Sequence, residues 1–287
     1  MTKEKQYISD DDVIIIGGTD WKPKKNRERH NRWKLIAFIL AGIILLISLF
    51  YIGRHIFHTK EFIQTRNADD VIAALASPMK GRAGITPMAD ETMGVKLKIY
   101  RLNGLKAHFA DSVPDYRDST IYLVTRSSDY KVIGDRKSII GDFIIDGEVM
   151  EKSNWRAGFL AIVDGNAQIG IDRSNKIAQY VKKNEGSMFR QMALISAGIR
   201  CDKQFILKGK VTRCAYARDH YGNLYFVETI NPETMYGFAD ALIEYGFIDA
   251  IYITGGSQQD LFYRTEDGTA HGHYIDDKPH ELVVWTK

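Results

Sequence analysis

The chain has 287 residues, of which 45% are hydrophobic and 26% are charged, and its formal net charge is +3. This balance excludes a disordered protein and suffices for one large globular domain with additional segments. The positive excess is local, which argues against a nucleic acid partner. The two cysteines, Cys201 and Cys214, match neither a zinc-binding spacing nor a redox Cys-x-x-Cys motif.

Residues 1–34 form a polar tail that becomes strongly basic from Lys22 onward. Its apolar run, Val13–Ile16, is either a docking strand for a partner or a chance patch in a disordered tail. Residues 35–53 then carry no charge. As a helix with about 1.5 Å rise per residue they would extend roughly 28 Å, close to the hydrocarbon thickness of a bilayer. We therefore predict a transmembrane helix from Leu35 to Gly53, with the membrane bilayer as a partner.

The basic flank lies N-terminal to this helix. It predicts a single-pass protein with a cytoplasmic N-terminus and a periplasmic or other extracytoplasmic C-terminal domain. A cleaved signal peptide is disfavoured, because the preceding polar segment is too long and no small-x-small cleavage site follows. An oxidising compartment leaves two states open for Cys201 and Cys214: a disulfide, or two unpaired core residues.

Residues 54–94 are predicted to form a juxtamembrane connector. Asn67 can cap a short helix that continues to Ala76 and is stopped by Pro78. Residues 78–94 show no clear periodicity, and the main domain is predicted to occupy residues 95–287.

Runs rich in β-branched and aromatic residues dominate this main domain. Asn103-Gly104, Asp146-Gly147 and Asp164-Gly165 separate such runs, as hairpin turns do. A helix over Lys176–Lys183, ended at Gly186, precedes further strands in KQFILKGKVTRCAYA, NLYFVETI and the terminal ELVVW. The pattern predicts an α+β fold: a mixed β-sheet domain with a few packed helices, preceded by one N-terminal transmembrane helix.

One helix, strand and turn near the C-terminus draw particular interest. Asn231 and Pro232 look like the start of a helix with one apolar stripe, and Gly246 can close it as a left-handed cap. Phe247–Ile253 then predicts a buried strand that ends in a glycine turn. In that turn Gly255 and Gly256 allow close approach of a ligand, beside the polar side chains of Ser257, Gln258 and Gln259. A tight turn with solvated side chains is the alternative.

The order of these pieces resembles the phosphodiester glycosidase domain family, which includes the lysosomal uncovering enzyme and many bacterial envelope proteins. The resemblance covers about residues 96–287, through DFIIDGEVM, VTRCAYA, NLYFVETI, the amphipathic helix, AIYITGGSQQ and ELVVW. It implies cleavage of the bond between the anomeric carbon of a sugar and the phosphate of a phosphodiester. That reaction needs a group that stabilises the phosphate leaving group, and carboxylates for proton transfer or oxocarbenium stabilisation.

The resemblance also implies roles for individual residues. Arg213 matches the arginine of the family and would hold the phosphate through its planar fork, whereas a surface strand arginine opposite Glu228 is the alternative. The family has Asp before its paired glycines, where this chain has Thr254, which cannot act as a general base. The carboxylates that remain are Asp129 and Glu228, with Asp260 behind them. The substrate-binding residues implied are Ser127 and Ser128, which stand where the family has Asn-Gly, and Gly255, Gly256, Ser257 and Gln258.

Metal and serine-hydrolase chemistry receive little support. His271 and His273, with His280, Asp276 and Asp277, show no fourth-ligand spacing, so we predict no metal site and no cofactor, and a divalent cation is not indicated. A Ser-His-Asp hydrolase is disfavoured, because no Gly-x-Ser-x-Gly elbow follows a strand.

Three functions therefore remain open. The first is a membrane-anchored hydrolase of sugar-1-phosphodiester linkages in envelope glycans, in which Asp129 and Glu228 act as acid or base. The second is a catalytically degenerate domain of the same fold that binds a glycan, a sugar-phosphate or a protein. The third is a scaffold subunit that recruits an envelope protein partner. Fold similarity alone does not decide among them.

Overall fold

The computed structural model of the chain describes residues 24–58, 65–79, 81–102, 104–128, 130–133, 136–139, 141–153, 157–202, 205, 208–253, 261–275 and 281–287. It consists of two units, Met1–Phe62 and Ile63–Lys287. Within the first unit, helix α1 extends over Lys24–His58. Its segment Arg32–Ile52 has a mean hydropathy of 2.9 and is long and apolar enough to cross a membrane. The predicted spanning helix is therefore confirmed as a helix of suitable length and composition, and its orientation stays a prediction.

The second unit combines short helices with many strands. The helices are α2 (Ala68–Leu75), α3 (Lys176–Lys183) and α4 (Met235–Tyr245). The strands are β1 (Met88–Thr92), β2 (Val95–Arg101), β3 (Lys106–Phe109), β4 (Ile121–Arg126), β5 (Tyr130–Ile133), β6 (Arg136–Ile139), β7 (Phe143–Ile145), β8 (Glu148–Glu151), β9 (Gly158–Val163), β10 (Asn166–Ile171), β11 (Ser187–Gln191), β12 (Ala193–Ser196), β13 (Ile199–Arg200), β14 (Cys214–Asp219), β15 (Leu224–Thr229), β16 (Phe247–Ile253), β17 (Leu261–Arg264), β18 (Ala270–Gly272) and β19 (Leu282–Thr286).

These strands form three large sheets and one two-stranded ribbon. The seven-stranded sheet has the order β1-β2-β15-β14-β16-β12-β13. One five-stranded sheet has the order β10-β9-β11-β7-β8, the other has the order β18-β17-β4-β19-β3, and β5 pairs with β6. The strand pairs described are antiparallel, as in the β14–β15 and β14–β16 pairs. The predicted α+β class is confirmed.

A central core joins all three large sheets. Tyr100, Tyr216 and Ile253 enter it from the seven-stranded sheet, Phe189 from the β9-containing sheet, and Trp285 from the β4-containing sheet. Because successive side chains of a strand point to opposite faces, the other face of the seven-stranded sheet needs a separate cover. Helix α4 provides that cover, and its buried residues are Met235, Phe238, Ala239, Ala241 and Leu242. We call this second cluster the helix core.

Several local predictions are confirmed. Asn67 caps α2 by accepting a hydrogen bond from the backbone N–H of Asp69 at 3.0 Å. Asp146-Gly147 joins β7 to β8, and Asp164-Gly165 joins β9 to β10, each as an antiparallel hairpin. Both turns have positive φ at their two central residues, as a type I′ hairpin turn requires. Gly246 closes α4 in the left-handed conformation, with φ of 114°.

Three other local predictions are wrong. Helix α4 is capped by Thr234 and not by Asn231, because Glu233 is still held in an extended bridge with Val211. The predicted hairpin at Asn103-Gly104 is absent, since β2 and β3 belong to different sheets; Asn103 itself lies outside the described residues. Of the stretch KQFILKGKVTRCAYA, residues 203, 204, 206 and 207 lie outside the described residues, and the strand predicted after Gly209 begins only at Cys214.

Candidate functional site

One end of the seven-stranded sheet brings a carboxylate, a thiol and an amine into a single row. Cys214 of β14 lies opposite Glu228 of β15 and opposite Ile253 of β16. Glu228 in turn lies opposite Lys98 of β2. Residues that are paired directly across antiparallel strands have side chains on the same face. The row Lys98–Glu228–Cys214–Ile253 therefore faces the central core, at the point where residues 254–260 leave β16.

Glu228 is the most unusual member of this row. It is only 3% exposed, and its Oε1 accepts a hydrogen bond of 2.7 Å from the hydroxyl of Tyr100. Lys98 Nζ lies 3.8 Å from the same oxygen. The second oxygen, Oε2, is buried and has no hydrogen-bond partner among the described residues. A buried carboxylate oxygen without a partner costs free energy, so its retention favours a chemical role over a structural one.

The surroundings of Glu228 favour its protonated form. Burial raises the pKa of Glu228 above its usual range, and the Tyr100 hydrogen bond and the charge of Lys98 offset only part of that rise. Burial, with the neighbouring Glu228, also raises the pKa of Tyr100, which therefore stays a neutral hydrogen-bond donor. A carboxyl group with a raised pKa next to a cation is suited to proton donation onto a leaving oxygen.

Aromatic rings extend the site towards solvent. The rings of Tyr100 and Tyr263 have centroids 4.8 Å apart, and His271 stacks on Tyr263 at 4.9 Å with an interplanar angle of 16°. Lys98 Nζ lies 5.8 Å from the centroid of Tyr263. The Lys98 side chain is 41% exposed and His271 is exposed, so this side of the row is open to solvent.

The sequence analysis missed Lys98, Tyr100 and Tyr263. In the run KLKIYR, Lys98 and Tyr100 stand two residues apart and therefore share a face. That signal was present, but Glu228 is 128 residues from Tyr100 along the chain. Only the pairing of β2 with β15 brings the two side chains together.

Arg213 is buried on the opposite face of the seven-stranded sheet. Its Nε donates to the carbonyl of Glu233 at 2.9 Å, and its Nη2 donates to the carbonyl of Gly209 at 2.7 Å. Its guanidinium carbon lies 5.8 Å from the ring centroid of Tyr252, which belongs to the helix core. The alternative of a surface arginine opposite Glu228 is wrong, because Arg213 is 0% exposed and Cys214 occupies that position. The structure does not bring Arg213 and Glu228 together.

Ser127 and Ser128 follow β4 and are both buried. The backbone N–H of Ser127 donates to the carbonyl of Glu281 at 2.8 Å. The hydroxyl of Ser128 donates to the carbonyl of Arg190 at 3.4 Å. The described hydrogen bond and ion pair of Glu228 go instead to Tyr100 and Lys98.

Arg190, beside Ser128, is a second buried arginine that the sequence analysis missed. Its Nε pairs with Asp142 Oδ2 at 2.8 Å, and its Nη1 donates to the carbonyls of Ala157 and Asp172. Its Nη2 is buried and has no hydrogen-bond partner within the described ranges. An arginine in the run MFRQ of an otherwise apolar strand was the available signal.

The remaining predicted site residues lie outside the described residues. They are Asp129, Thr254, Gly255, Gly256, Ser257 and Gln258, together with Gln259 and Asp260. Their roles stay predictions. The same holds for Asp276, Asp277 and His280, whereas among the described residues no group of three His, Cys, Asp or Glu is arranged to hold a metal ion. Cys201 and Cys214, both described, are buried and form no disulfide.

Comparison with known proteins finds similarity of fold alone. No protein-family model matches the chain, and no curated protein matches its sequence. The catalytic domain of zebrafish N-acetylglucosamine-1-phosphodiester alpha-N-acetylglucosaminidase, auto-inhibited by its pro-peptide, is similar with a TM-score of 0.48 and 11% identity over 74% of this chain and 85% of that one. A hypothetical protein from Synechocystis is similar with a TM-score of 0.48 and 13% identity over 74% of this chain and 64% of that one. No residue role follows from this likeness.

Proposed function

We propose that the protein is a membrane-anchored phosphodiester glycosidase-like hydrolase that cleaves sugar-1-phosphodiester linkages in envelope glycans. Helix α1 would anchor it, and the basic flank would keep the N-terminus cytoplasmic. The proposal rests on the order of sequence motifs over residues 96–287 and on one structural observation. That observation is Glu228, a buried carboxyl group whose Oε2 has no partner among the described residues and whose Oε1 lies 3.8 Å from Lys98 Nζ.

Glu228 is assigned the role of general acid. Burial raises its pKa and so favours the protonated form. Transfer of that proton to the bridging phosphate oxygen would accompany cleavage of the bond between this oxygen and the anomeric carbon, to which a water molecule then adds. Tyr100 is a positioning residue, because its hydroxyl fixes the Oε1 of Glu228 and leaves Oε2 for the substrate. Asp129 stays the candidate for the second carboxylate.

Lys98 is assigned to the phosphate. Two guanidinium nitrogens of Arg213 donate hydrogen bonds to backbone carbonyls. Arg213 is therefore no longer the best candidate for binding the phosphate. Lys98 lies within ion-pair distance of Glu228 and is partly exposed. It could thus meet both the solvent-borne phosphate and the proton donor. The exposed ring of His271, stacked on Tyr263, offers an apolar face to the sugar.

The test uses the full-length protein in detergent micelles with a panel of sugar-1-phosphodiesters, with and without divalent cations. Free sugar is measured over time. We expect release by the native protein, a loss of at least about 100-fold in Glu228→Gln, and no change in the matched control Glu244→Gln. Glu244 is exposed on α4 and faces away from the site. Full release by Glu228→Gln would contradict the assignment.

A catalytically degenerate binding domain is the second candidate. It is favoured by Thr254, which stands where the resembling family has Asp. In that case the native protein would bind a sugar-1-phosphodiester, lose affinity in Lys98→Met and release no sugar. A scaffold role would instead predict neither binding nor release, and an envelope protein that co-purifies with the full-length chain.

A further inference from the structure

A cavity of about 390 Å³ lies at the opposite end of the β14–β15 hairpin from Glu228. The segment that precedes β1 forms one wall, through Arg66 and residues 74–79. The other walls come from the ends of β2 and β10, from the turn at residues 221–224, and from Trp285. Leu224 and Glu228 are four residues apart on β15, about 13 Å at the usual strand rise. The cavity is therefore separate from the Glu228 site.

Arg66 is the charged group of this cavity. Its Nη1 donates to the carbonyl of Ile169 at 2.8 Å and to Oε1 of Gln168 at 3.1 Å. Its Nε and Nη2 make no hydrogen bond to a described residue, and no described carboxylate lies within ion-pair distance of its guanidinium. Burial and the like charge of Arg218 lower the pKa of Arg66 to about 10, and the charges of Asp249 and Asp70 offset part of that shift. The described lining contains no Asp or Glu, so a ligand in the cavity would not contact a carboxylate side chain of these residues.

The backbone is shaped to hold Arg66 in place. Its side chain lies over Gly170 of β10, where an added Cβ would come within 2.8 Å of Arg66 Cδ. Close packing of this kind leaves a long side chain few alternative positions. The guanidinium is thus presented to the cavity in a fixed orientation.

The remaining lining suits a sugar. Gln168 bonds to Arg66 through its oxygen, which leaves its NH₂ group as a donor. Asn166 donates to the carbonyls of Ala74 and Ser77, which leaves its oxygen as an acceptor. Tyr221 is 80% exposed at the rim, and Leu102 and Leu105 supply apolar floor. Pockets with an apolar floor and few polar groups of fixed position are typical of small-molecule sites, and about 300–1,000 Å³ is their usual volume.

We propose that this cavity binds a small carboxylate-bearing sugar, a hexuronate, whose carboxylate pairs with Arg66 and whose hydroxyl groups bond to Gln168 and Asn166. The planar guanidinium of Arg66 can hold a carboxylate through its two unused nitrogen atoms. This site takes no part in the hydrolysis proposed for Glu228. It gives the protein a second point of contact with an acidic glycan.

The test is isothermal titration of the full-length protein in detergent micelles with D-glucuronate, with D-glucose and acetate as probes that each lack one half of the ligand. We expect glucuronate to bind at least about tenfold more tightly than either. Arg66→Gln should weaken glucuronate binding at least about tenfold, and Gly170→Ala should weaken it by displacing Arg66. Arg117→Gln, an exposed arginine that pairs with Asp115 in its own loop, should leave it unchanged.

Three results would overturn the proposal. Equal affinity for acetate would show that only the charge is recognised. Unchanged binding in a folded Arg66→Gln variant would exclude this cavity, with folding checked by circular dichroism. Loss of binding in Glu228→Gln would place glucuronate at the other site. Retained binding in Glu228→Gln supports the proposal, and it does so whether or not the protein hydrolyses a phosphodiester.

Discussion

The seven-stranded sheet has two buried charged residues, one just before β14 and one on β15. The two differ in how their polar atoms are hydrogen-bonded. Arg213, just before β14, faces the helix core and donates to two backbone carbonyls. Glu228, on β15, faces the central core, and one of its carboxylate oxygens has no hydrogen-bond partner that the structure describes. Both are almost completely buried, at 0% and 3% exposed. Burial alone therefore does not distinguish a structural charge from a chemical one.

What distinguishes them is the use of their polar atoms. Two of the three guanidinium nitrogens of Arg213 hold the loop around Gly209 and the entry to α4 at Glu233. Its remaining nitrogen, Nη1, is buried and has no hydrogen-bond partner in the part of the chain that the structure describes. Glu228 instead has one hydrogen bond and one long ion pair, and burial raises its pKa. Removal of a structural charge leaves backbone groups without their hydrogen-bond partner and lowers stability. Removal of a chemical charge instead removes the free-energy cost of burying that charge.

The largest expected effect lies in the helix core that covers Arg213. Phe238 is 0% exposed on α4. Phe238→Ala should lower the free energy of unfolding by about 3–5 kcal/mol, because it removes a large buried ring and leaves a cavity. The exposed Glu244→Ala in the same helix should stay within about 0.5 kcal/mol. Urea unfolding of the full-length protein, followed by tryptophan fluorescence, measures both. A small loss in Phe238→Ala would show that α4 does not cover this face tightly.

Arg213→Met tests the structural role directly and should have the next largest effect. It should lower the free energy of unfolding by about 1–3 kcal/mol, because the carbonyls of Glu233 and Gly209 lose their donor. The matched control is Lys208→Met, at an exposed position in the same loop, with an expected change within about 0.5 kcal/mol. Unfolding is followed as for Phe238→Ala. If Arg213→Met is as stable as the native protein and fails to bind a sugar-1-phosphodiester, Arg213 is a ligand-binding residue and the comparison fails.

The sequence predicted the helix and the hairpins around this sheet better than it predicted which side chains lie on which face of the sheet. The apolar stripe of α4 has a period close to 3.6 residues, so its buried side could be deduced before any neighbour was known. In the β7–β8 and β9–β10 hairpins, the two residues Asp-Gly are enough to specify the conformation of the turn. These are local signals, and the structure confirms them.

The faces of β14 and β15 depend on register, which is not a local property. Arg213 and Glu228 fall at positions of opposite orientation only because Cys214 pairs with Glu228, and a shift of one residue would place both on one face. Likewise, the start of α4 moved from Asn231 to Thr234 because Glu233 pairs with Val211, a contact made across 22 residues of chain. Lys98 and Tyr100 could not be assigned to Glu228 for the same reason.

Glu228→Gln should move stability in the opposite direction to Arg213→Met. The folded state binds the Glu228 proton more tightly than the unfolded state, so native stability falls as pH rises from the unfolded pKa of 4.5 through the raised folded pKa. Glutamine has no charge to bury and avoids that loss. The variant should therefore be more stable than the native protein at pH 8, and the difference should vanish below about pH 4.

Each kcal/mol of difference corresponds to about 2–4 °C in Tm for a domain of this size. Thermal unfolding of the two proteins across this pH range measures it, with Glu244→Gln as the control. A variant that is less stable at pH 8 would assign Glu228 a structural role like that of Arg213.

The smallest expected effect isolates the contribution of Lys98 to Glu228. The charge of Lys98 favours the ionised carboxylate and lowers its pKa, so Lys98→Met should raise that pKa further. In the Lys98→Met background, Glu228→Gln should then exceed its parent in Tm by a larger margin at high pH, and the pH at which this margin levels off should move upward. Because Lys98 is 41% exposed and 3.8 Å away, the interaction is expected to be worth only about 0.2–1 kcal/mol.

Lys96→Met is the matched control, since Lys96 stands two residues away on the same strand face and pairs with Glu91 at 3.6 Å. It should leave the profile of Glu228 in place. An equal shift from both variants would mean that general surface charge acts on Glu228, and Lys98 would then lose its claim to share the site with the proton donor.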